Sequence, residues 1–313
     1  MVEPLISIVI PTFDRSELAQ GAIKNVLNQS YNNFEVIVVE DGSSTGLDEF
    51  IKGLGNEKVI YASHETNRGL AASRNTGMNL SKGDYIAFLD DDDRWLKDKL
   101  MMQVDIMQRS NNPKIMVYCR NVPEKSKRYS SGQIRNIKGP MSDYIFQGFL
   151  LPSSSILMHT SALKSIGGHS TDLISCIDHD IWMKLARKGF HMDLVEEGLI
   201  YSVDDERKRM VNEFDDRLEG IKQFFNKWKS EIVEEYGIES WMKIERKYHN
   251  QTSYGIVNSY RKGVLLKHQA TYYLNQLNSL EHYDYTWLDN TLSQFGLEKS
   301  TRLFNYIPLK RYL

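Results

Sequence analysis

Residues 34–39 read Phe-Glu-Val-Ile-Val-Val, and residues 40–44, Glu-Asp-Gly-Ser-Ser, follow them directly. A short, nearly continuous apolar run rich in β-branched residues is typical of a parallel strand that is covered on both faces. The acidic and small residues after it predict a turn at the carboxyl end of that strand. This stretch therefore indicates an α/β protein with an acidic loop at the edge of its sheet.

Strand and helix signals alternate on both sides of this run. The predicted order is a strand over 5–10 that ends at Pro11, a helix over 16–29 capped by Ser16, the strand over 34–39, a strand over 58–62, a helix over 71–80 and a strand over 85–89. Such alternation implies right-handed crossovers and a mainly parallel sheet. Ligands of these sheets bind beyond the carboxyl ends of the strands, so functional residues are expected in the loops there.

The overall composition is that of an ordinary globular protein. The chain has 313 residues, of which 41% are hydrophobic and 26% charged, and this length suits two domains. It carries 41 acidic and 39 basic residues, so no basic excess indicates a nucleic-acid partner. The only cysteines are Cys119 and Cys176, which excludes a disulfide framework and most cysteine-based metal sites.

The sequence also bears on location. No apolar run approaches the roughly 18–20 residues that cross a bilayer. The first residues, Met-Val-Glu-Pro, lack the basic and apolar regions of a secretion signal. We therefore expect a cytoplasmic protein, free or peripheral at the inner face of the membrane.

The last third of the chain differs from the rest. Ten of the 17 tyrosines lie after residue 207, and residues 208–313 carry a net charge of +3 against −5 before them. The charged segment 203–209 is typical of a solvated connector. We predict one domain over 1–207 and a smaller, mostly helical domain over 208–313.

The helical part has several predicted elements and no predicted chemistry of its own. Helical spacing of apolar residues predicts helices over 213–236, 239–250, 256–277 and 287–295. Residues 303–313 mix apolar and basic side chains, which suits either a membrane-surface contact or a docking arm for another subunit, as in a homo-oligomer. The sequence leaves both alternatives open.

Two loops that follow strands carry candidate ligand contacts. Residues 11–14, Pro-Thr-Phe-Asp, could pack against a nucleobase; the alternative is a plain turn capped by Asp14 or Ser16. Asp41 could accept hydrogen bonds from a ribose or a pyrimidine; the alternative is an Asx-type turn into the next helix.

A third loop, residues 90–93, consists of four consecutive aspartates. Two carboxylates about 4 Å apart repel by about 4 kcal/mol at an effective dielectric constant of 20, so the fold needs a cation there. Oxygen ligands favour Mg²⁺ or Mn²⁺ over zinc, and Mg²⁺ is commonly shared between carboxylates and a substrate phosphate. The loop therefore predicts a metal site that also holds a nucleotide diphosphate; the alternative is a solvated acidic surface or part of a disordered tail.

A helical stretch with two arginines lies between the second and third loops. Arg68 and Arg74 could present guanidinium groups to phosphates or to the acids of the site; the alternative is an ordinary helix with surface arginines. No GxxxxGK[ST] motif occurs, which disfavours a P-loop kinase or ATPase.

Five stretches then occur in a recognisable order. They are PTFD at 11–14, VVEDGSS at 38–44, NRGLAASRN at 67–75, GDYIAFLDDDD at 83–93, and GG at 167–168 followed by DHDIW at 178–182. Over residues 5–201 this order and spacing resemble the family 2 glycosyltransferases. The resemblance implies a GT-A fold with a mixed, mainly parallel sheet flanked by helices. It also implies an inverting transfer, a nucleotide-diphospho-sugar donor and a bound Mn²⁺ or Mg²⁺.

The resemblance assigns roles to individual positions. Those that match donor-binding residues of the family are Pro11, Thr12, Phe13, Asp41, Arg68, Arg74, Asp90 and Asp91. Asp92 matches the direct metal ligand, with Asp90 beside it. Asp178 matches the general base, the role that an inverting transfer gives to a carboxylate; the alternative for Asp178 is an acid that stabilises a helix N-terminus.

Four positions depart from the family pattern. Ile177 stands for a glutamate, Asp14 for an asparagine, His159 for an arginine and His169 for an aromatic residue. We expect His159, His169 and His179 to be structural or surface histidines, with contacts to acceptor or phosphate as the alternative.

The sequence thus predicts transfer of a sugar, from a UDP-sugar, to a hydroxyl of a glycan, lipid-linked or polymer acceptor. One alternative is a nucleotidyltransferase that makes the sugar nucleotide, but such enzymes have a Gly-rich basic loop where residues 11–15 contain no glycine. The other is a non-catalytic carbohydrate-binding or scaffold protein, against which the acids of the site argue.

Overall fold

The computed structural model describes residues 3–110, 112–122, 137–146, 151–203, 214–261 and 263–279. The chain divides into two compact units. The first comprises Met1–Ile145, Phe149–Asp172 and Ile177–Glu206, and the second comprises Phe146–Gly148, Leu173–Cys176 and Arg207–Leu313. A single boundary near residue 207 does not describe the two short segments that belong to the second unit.

The first unit is built on one mixed sheet. Its strands are β1 (Ile6–Thr12), β2 (Phe34–Asp41), β3 (Val59–His64), β4 (Tyr85–Phe88), β5 (Asp93–Trp95), β6 (Ile115–Asn121), β7 (Gly139–Pro140), β8 (Ile156–His159) and β9 (His191–Ser202). Their order is β3-β2-β1-β4-β8-β6-β9-β5, with β7 paired to β9. The pairs β1–β2, β1–β4, β2–β3 and β6–β9 are parallel. The antiparallel pairs β4–β8, β5–β9, β6–β8 and β7–β9 are shorter, so the sheet is mixed and mainly parallel, as predicted.

Helices connect the strands of this unit. They are α1 (Ser16–Leu27), α2 (Leu47–Leu54), α3 (Leu70–Leu80), α4 (Lys99–Arg109), α5 (Ser142–Ile145), α6 (Thr160–Ser165) and α7 (Ile177–Arg187), with a short 3₁₀ helix at Ser153–Ser155. Every residue of β1 and β2 is buried, which explains the nearly continuous apolar pattern of β2. The exception in that pattern, Glu35, accepts hydrogen bonds from Ser7 Oγ at 2.6 Å and Lys82 N at 2.7 Å.

Several predicted element boundaries in this unit were wrong: α1 ends at Leu27 and not at 29, β2 extends to Asp41 and not to 39, and β3 ends at His64 and not at 62. Strand β1 does not end at Pro11, because Pro11 and Thr12 continue the pairing with β2. The β4 strand pairs with β1 only as far as Val9, so at Pro11 β1 has one strand neighbour, and the missing N–H costs little there. Ser16 does not cap α1 but is its first residue, and its hydroxyl accepts from Gln20 Nε2 at 3.2 Å.

The second unit is helical in its described part. Helices α8 (Phe214–Tyr236), α9 (Ile238–Arg261) and α10 (Lys267–Asn278) bury an apolar set. The predicted apolar face of α8 is buried, and it consists of Phe214, Leu218, Ile221, Phe224, Phe225 and Trp228. No helix in the described part of the chain is both long and apolar enough to span a membrane.

The predicted helices over 239–250 and 256–277 were wrong in their limits. Helix α9 continues through Gly255 to Arg261, and the break falls before Lys267. A helical glycine costs about 1 kcal/mol relative to alanine, which packing easily outweighs: Ile256 and Val257, beside Gly255, are both buried. The predicted connector residues 204–209, the helix over 287–295 and the segment 303–313 lie outside the described residues.

Candidate functional site

The predicted loops meet at one edge of the sheet. Strands β1, β2 and β4 are parallel neighbours, so the residues that follow them leave the sheet on the same side. Thr12 Oγ1 donates to Asp91 Oδ2 at 2.8 Å, which joins the first loop to the third. Asp14 N donates to Ser43 Oγ at 3.1 Å, which joins the first loop to the second. Phe13 is 48% exposed at this edge, whereas Thr12 is buried.

The four aspartates have different partners. Asp90 Oδ1 accepts from Arg74 Nη2 at 2.7 Å, and Asp91 Oδ1 accepts from Arg15 Nη1 at 3.2 Å. Arg15 Nη1 also lies 3.8 Å from Asp92 Oδ2. Two arginines of the chain itself therefore supply part of the positive charge that this loop needs.

Asp91 and Asp92 are buried as well, but Asp93 is the member of the run with no exposed surface. It belongs to β5, is completely buried, and accepts a hydrogen bond from Ser202 Oγ at 2.9 Å. Ser202 is the last residue of β9, which pairs with β5 in register Asp93↔Ser202. The acidic cluster at the sheet edge thus consists of Asp90, Asp91 and Asp92.

The surroundings of Asp91 disfavour its ionised form. Burial raises the pKa of Asp91 to about 6; Arg15 and Thr12 act in the opposite direction, while Asp92 and Asp90 raise the pKa further. The raised pKa means that the ionised form of Asp91 is less stable here than in water. A divalent cation beside the loop would stabilise the ionised form.

Asp41 is bound by groups of the protein. Its Oδ1 accepts from His64 Nδ1 at 2.7 Å and from Arg68 N at 2.9 Å, and its Oδ2 accepts from Gly69 N at 2.8 Å. His64 Nε2 in turn lies 2.9 Å from Thr76 Oγ1. Asp41 therefore anchors the loop that precedes α3. Sequence reasoning missed His64 and Thr76, which no motif marks.

The neighbouring acid, Glu40, is also fully engaged. Its Oε1 accepts from Ser43 Oγ at 3.0 Å and from Thr45 Oγ1 at 2.6 Å, and its Oε2 accepts from Tyr61 OH at 2.6 Å. These bonds hold the loop after β2 in a closed turn. The contact of Asp41 with a ribose or a pyrimidine stays a prediction.

The two arginines of the predicted donor site differ in placement. Arg68 is exposed, and the group that reaches Asp41 is its backbone N–H. Arg74 has no exposed side-chain surface, and its guanidinium lies 5.6 Å from the ring centroid of Phe88. The sequence left both phosphates and the acids of the site open as partners of Arg74, and this burial favours the acids.

Arg74 instead bridges two carboxylates. Its Nη2 donates to Asp90 Oδ1 at 2.7 Å, and its Nη1 donates to Asp178 Oδ1 at 2.5 Å. Burial alone would lower the pKa of Arg74, but Asp178 and Asp90 outweigh it and raise the pKa above its usual value. The guanidinium is therefore permanently charged.

Asp178 lies in the first turn of α7. Besides Arg74, Ser153 Oγ donates to its Oδ1 at 2.7 Å, and the side chain is 39% exposed. Asp180, two residues on, is completely buried and binds Lys184 Nζ at 3.0 Å and Ser170 Oγ at 2.7 Å. Asp178 is thus partly exposed at the site, whereas Asp180 lies inside the protein. Sequence reasoning did not single out Ser153.

The three histidines contact protein groups. His159 packs edge-on against Tyr85 at 5.0 Å between ring centroids, and burial lowers its pKa. His169 is buried against Phe88 at 5.2 Å, and burial followed by Arg74 and Lys184 lowers its pKa well below the usual value. His179 is buried with Nε2 3.4 Å from the carbonyl oxygen of Ile145.

The acids at the sheet edge fit a cation that is shared with a ligand. Among the described residues, no group of three or more His, Cys, Asp or Glu side chains is arranged to hold a metal by itself. Mg²⁺, however, is usually bound by one or two carboxylates together with water and substrate phosphates. Asp92 and Asp90 supply carboxylates of this kind beside Arg15 and Arg74.

One protein-family model matches more than half of this chain. The model described as glycosyl transferase family 2 matches residues 7–166, just over half of the chain. The chain belongs to glycosyl transferase family 2. The expected family resemblance is thereby confirmed.

Curated relatives of this family 2 chain match over part of their length. An uncharacterised glycosyltransferase of Rickettsia bellii is 42% identical over 106 residues, which are 34% of this chain and 15% of the relative. One of Rickettsia conorii is 32% identical over 183 residues, 58% of this chain and 30% of the relative. The Escherichia coli UDP-Glc:α-D-GlcNAc-diphosphoundecaprenol β-1,3-glucosyltransferase WfgD is 33% identical over 111 residues, 36% and 44% of the two chains. The family 2 chain therefore matches less than a third of the length of the first two relatives.

Solved structures similar to the family 2 chain show its fold. Staphylococcus aureus TarS 1–349 in complex with UDP has a TM-score of 0.63 at 16% identity, over 88% of this chain and 81% of the other. The mannosyltransferase PcManGT of Pyrobaculum calidifontis in complex with GDP-Man and Mn²⁺ has a TM-score of 0.58 at 17% identity, over 92% and 84%. The predicted GT-A fold, with a helical C-terminal region, is confirmed.

Proposed function

We propose that this chain is an inverting, metal-dependent glycosyltransferase that moves a sugar from a UDP-sugar to a hydroxyl group of a glycan, lipid-linked or polymer acceptor. One observation carries the proposal: a single buried guanidinium, that of Arg74, joins Asp90 of the acidic loop to Asp178. The candidate donor acids and the candidate base therefore belong to one site. Membership of glycosyl transferase family 2 supports the same chemistry.

The donor nucleotide occupies the sheet edge in this proposal. Pro11, Thr12 and the exposed ring of Phe13 pack against the base, and Thr12 is held in place by Asp91. Arg68 and Asp91 face the ribose and diphosphate, while Asp41 fixes the loop that carries Arg68. We favour uridine because TarS was solved with UDP and with UDP-GlcNAc, and WfgD is named for UDP-Glc.

Asp92, together with Asp90, would hold the divalent cation. A bound Mn²⁺ or Mg²⁺ supplies positive charge to the diphosphate as it leaves. Mn²⁺ is present in the PcManGT complex, which supports this part of the proposal. Arg15, which lies close to both Asp91 and Asp92, adds a fixed positive charge on the protein side of the loop.

Asp178 acts as the general base. Its carboxylate takes the proton of the acceptor hydroxyl while the acceptor oxygen forms a bond to the anomeric carbon of the sugar and the bond from that carbon to the diphosphate oxygen breaks. Attack from the side opposite the leaving diphosphate inverts the anomeric configuration. The partial exposure of Asp178 leaves room for an acceptor hydroxyl to approach.

The names of two relatives bear on the acceptor. WfgD is named for a diphosphoundecaprenol-linked sugar, and a putative glycosyltransferase of colanic acid biosynthesis, WcaA of Escherichia coli, is 41% identical over 99 residues. These relatives favour a lipid-linked or polymer acceptor, handled in the cytoplasm or at the inner face of the membrane. Residues 208–313 then bind the acceptor, form a homo-oligomer or contact the membrane surface.

A donor screen tests the proposed function directly. Thermal unfolding is measured with UDP, GDP and a panel of UDP-sugars, each with and without Mn²⁺, because a ligand that binds the native state raises its stability. We expect UDP and at least one UDP-sugar to raise the melting temperature only when Mn²⁺ is present, and that UDP-sugar to be turned over with release of UDP. Metal-independent stabilisation, or none by any nucleotide, contradicts the proposal.

A further inference from the structure

We infer that Arg74 and Ser153 are positioning residues that hold Oδ1 of Asp178 and thereby present its Oδ2 to the acceptor hydroxyl. The inference rests on the proposed role of Asp178 as general base. It gives Arg74 a function other than contact with the donor and assigns a function to Ser153, a residue that no motif of the sequence marks.

Both hydrogen bonds go to the same oxygen of Asp178. Arg74 Nη1 and Ser153 Oγ donate to Oδ1, at 2.5 and 2.7 Å, while neither donates to Oδ2. A carboxylate held through one oxygen keeps a fixed orientation, and its second oxygen stays available to accept a proton. Since Asp178 is 39% exposed whereas Arg74 and Ser153 are buried, the two donors hold it from the protein side.

The segment that carries Ser153 is hydrogen-bonded both to the acidic loop and to helix α7. Ser154 Oγ accepts from the backbone N–H of Asp90 at 3.1 Å, so neighbouring serines contact the acidic loop and the base. Trp182, one helical turn after Asp178 on α7, donates from Nε1 to the carbonyl oxygen of Leu151 at 3.3 Å. The 3₁₀ segment and α7 are thus connected at two points.

Arg74 and this serine segment make two parallel bridges between the same pair of elements. One runs from Asp90 through the guanidinium to Asp178, and the other from the backbone of Asp90 through Ser154 and Ser153 to Asp178. A guanidinium offers its donors in a rigid planar fork, which an ammonium group does not. This double connection sets the distance between the donor acids and the base.

The first test separates positioning of the base from binding of the donor. Ser153→Ala removes one hydrogen bond to a charged oxygen, so we expect kcat to fall by about tenfold to a hundredfold. The KM for the UDP-sugar and the affinity for UDP with Mn²⁺ should not change. Ser155→Ala is the matched control, because Ser155 lies in the same 3₁₀ helix and its hydroxyl donates to the carbonyl oxygen of Pro152; kcat of this variant should stay near that of the wild type.

Arg74→Lys tests the bridge that runs through the guanidinium. Lysine retains the positive charge but cannot bind both carboxylates as a planar fork, so kcat should fall at least as far as in Ser153→Ala. If Asp178→Asn abolishes transfer while both positioning variants keep the wild-type kcat, the proposed function stands and this inference is overturned. If Asp178→Asn keeps the wild-type rate, the proposed function itself fails.

A second measurement does not depend on turnover. In a double-mutant cycle on thermal unfolding, Ser153→Ala should lower the melting temperature of the wild type and change that of the Asp178→Ala variant much less, because the partner is already absent. Equal changes in the two backgrounds would show that Ser153 does not act on Asp178, and would overturn the inference even if no donor is turned over.

Discussion

Arg74 and Asp178 are 104 positions apart in the chain, yet Nη1 of the arginine donates to Oδ1 of the aspartate. Arg74 lies on α3, which follows β3, and Asp178 lies in the first turn of α7, which precedes β9. Because Arg74 is fully buried, its charge is neutralised by this aspartate and by Asp90 and not by solvent. The charge of the candidate base is therefore coupled to the acidic loop at which a donor would bind.

Asp178→Asn is predicted to abolish sugar transfer without weakening the binding of the donor nucleotide. Asparagine keeps the Oδ1 acceptor for Arg74 and Ser153 but cannot take a proton, and loss of a general base typically costs a factor of about 10²–10⁴ in rate. Steady-state release of UDP measures the rate, and calorimetric titration of UDP with Mn²⁺ measures binding. A variant that loses affinity for UDP in proportion to its rate would place Asp178 in the donor site instead.

Asp92→Ala is predicted to weaken binding of UDP and to abolish the effect of Mn²⁺ on that binding, because it removes the proposed direct metal ligand. Asp93→Asn is the matched control: Asp93 is the next acid of the run, but it is turned inward to Ser202. This control should lower the melting temperature and leave the Mn²⁺ dependence of UDP binding intact. Equal loss of Mn²⁺ dependence in both variants would argue that the run acts only through its total charge.

The titration of Lys99 is predicted to make the free energy of unfolding depend on pH above neutrality. It is completely buried, donates to Gln103 Oε1 at 2.7 Å and lies 4.0 Å from the ring centroid of Trp95. Burial lowers its pKa to about 8, with Cys119 acting in the opposite direction. Between this value and its ordinary pKa of 10.5 the folded state binds fewer protons than the unfolded state, so this contribution to the free energy of unfolding rises with pH.

Lys99→Met removes that titration. The free energy of unfolding of the variant minus that of the wild type should be greatest near neutral pH. This difference should fall by up to about 3 kcal/mol as the pH rises through the range in which Lys99 of the folded wild type loses its proton. Urea unfolding of both proteins at about pH 7 and about pH 9 measures the difference. A difference that is the same at both pH values would contradict the lowered pKa of Lys99.

Two glycines in helices are predicted to respond in opposite directions to alanine. A Cβ at Gly77 of α3 would overlap both methyl groups of Val9 in β1, so Gly77→Ala should lower the free energy of unfolding by about 1–3 kcal/mol. A Cβ at Gly53 of α2 meets open space, so Gly53→Ala should raise it by about 1 kcal/mol. Urea denaturation measures both, and a neutral Gly77→Ala would contradict the close approach of α3 to β1.

Much of the first unit was predictable because its signals are local. The apolar run of β2, the alternation of strands and helices, and the acids after β4 depend on residues adjacent in sequence, and parallel strands necessarily end at a common edge. The errors have local causes too. Pro11 continues β1 because it has a strand neighbour on one side only, and α9 continues through Gly255 because helix packing outweighs the preference of one glycine.

The sequence by itself determined the fold class, the family and the set of acids from which a site is built. Only the tertiary structure decided how those acids differ: Asp93 faces Ser202 inside the sheet, Asp41 anchors a loop, and Asp178 shares Arg74 with Asp90. The physical reason is that such hydrogen bonds join residues far apart in the chain. Periodicity and motifs indicate on which face of a strand or helix a side chain lies. Its hydrogen-bond partner from a distant part of the chain depends on strand order, register and helix packing.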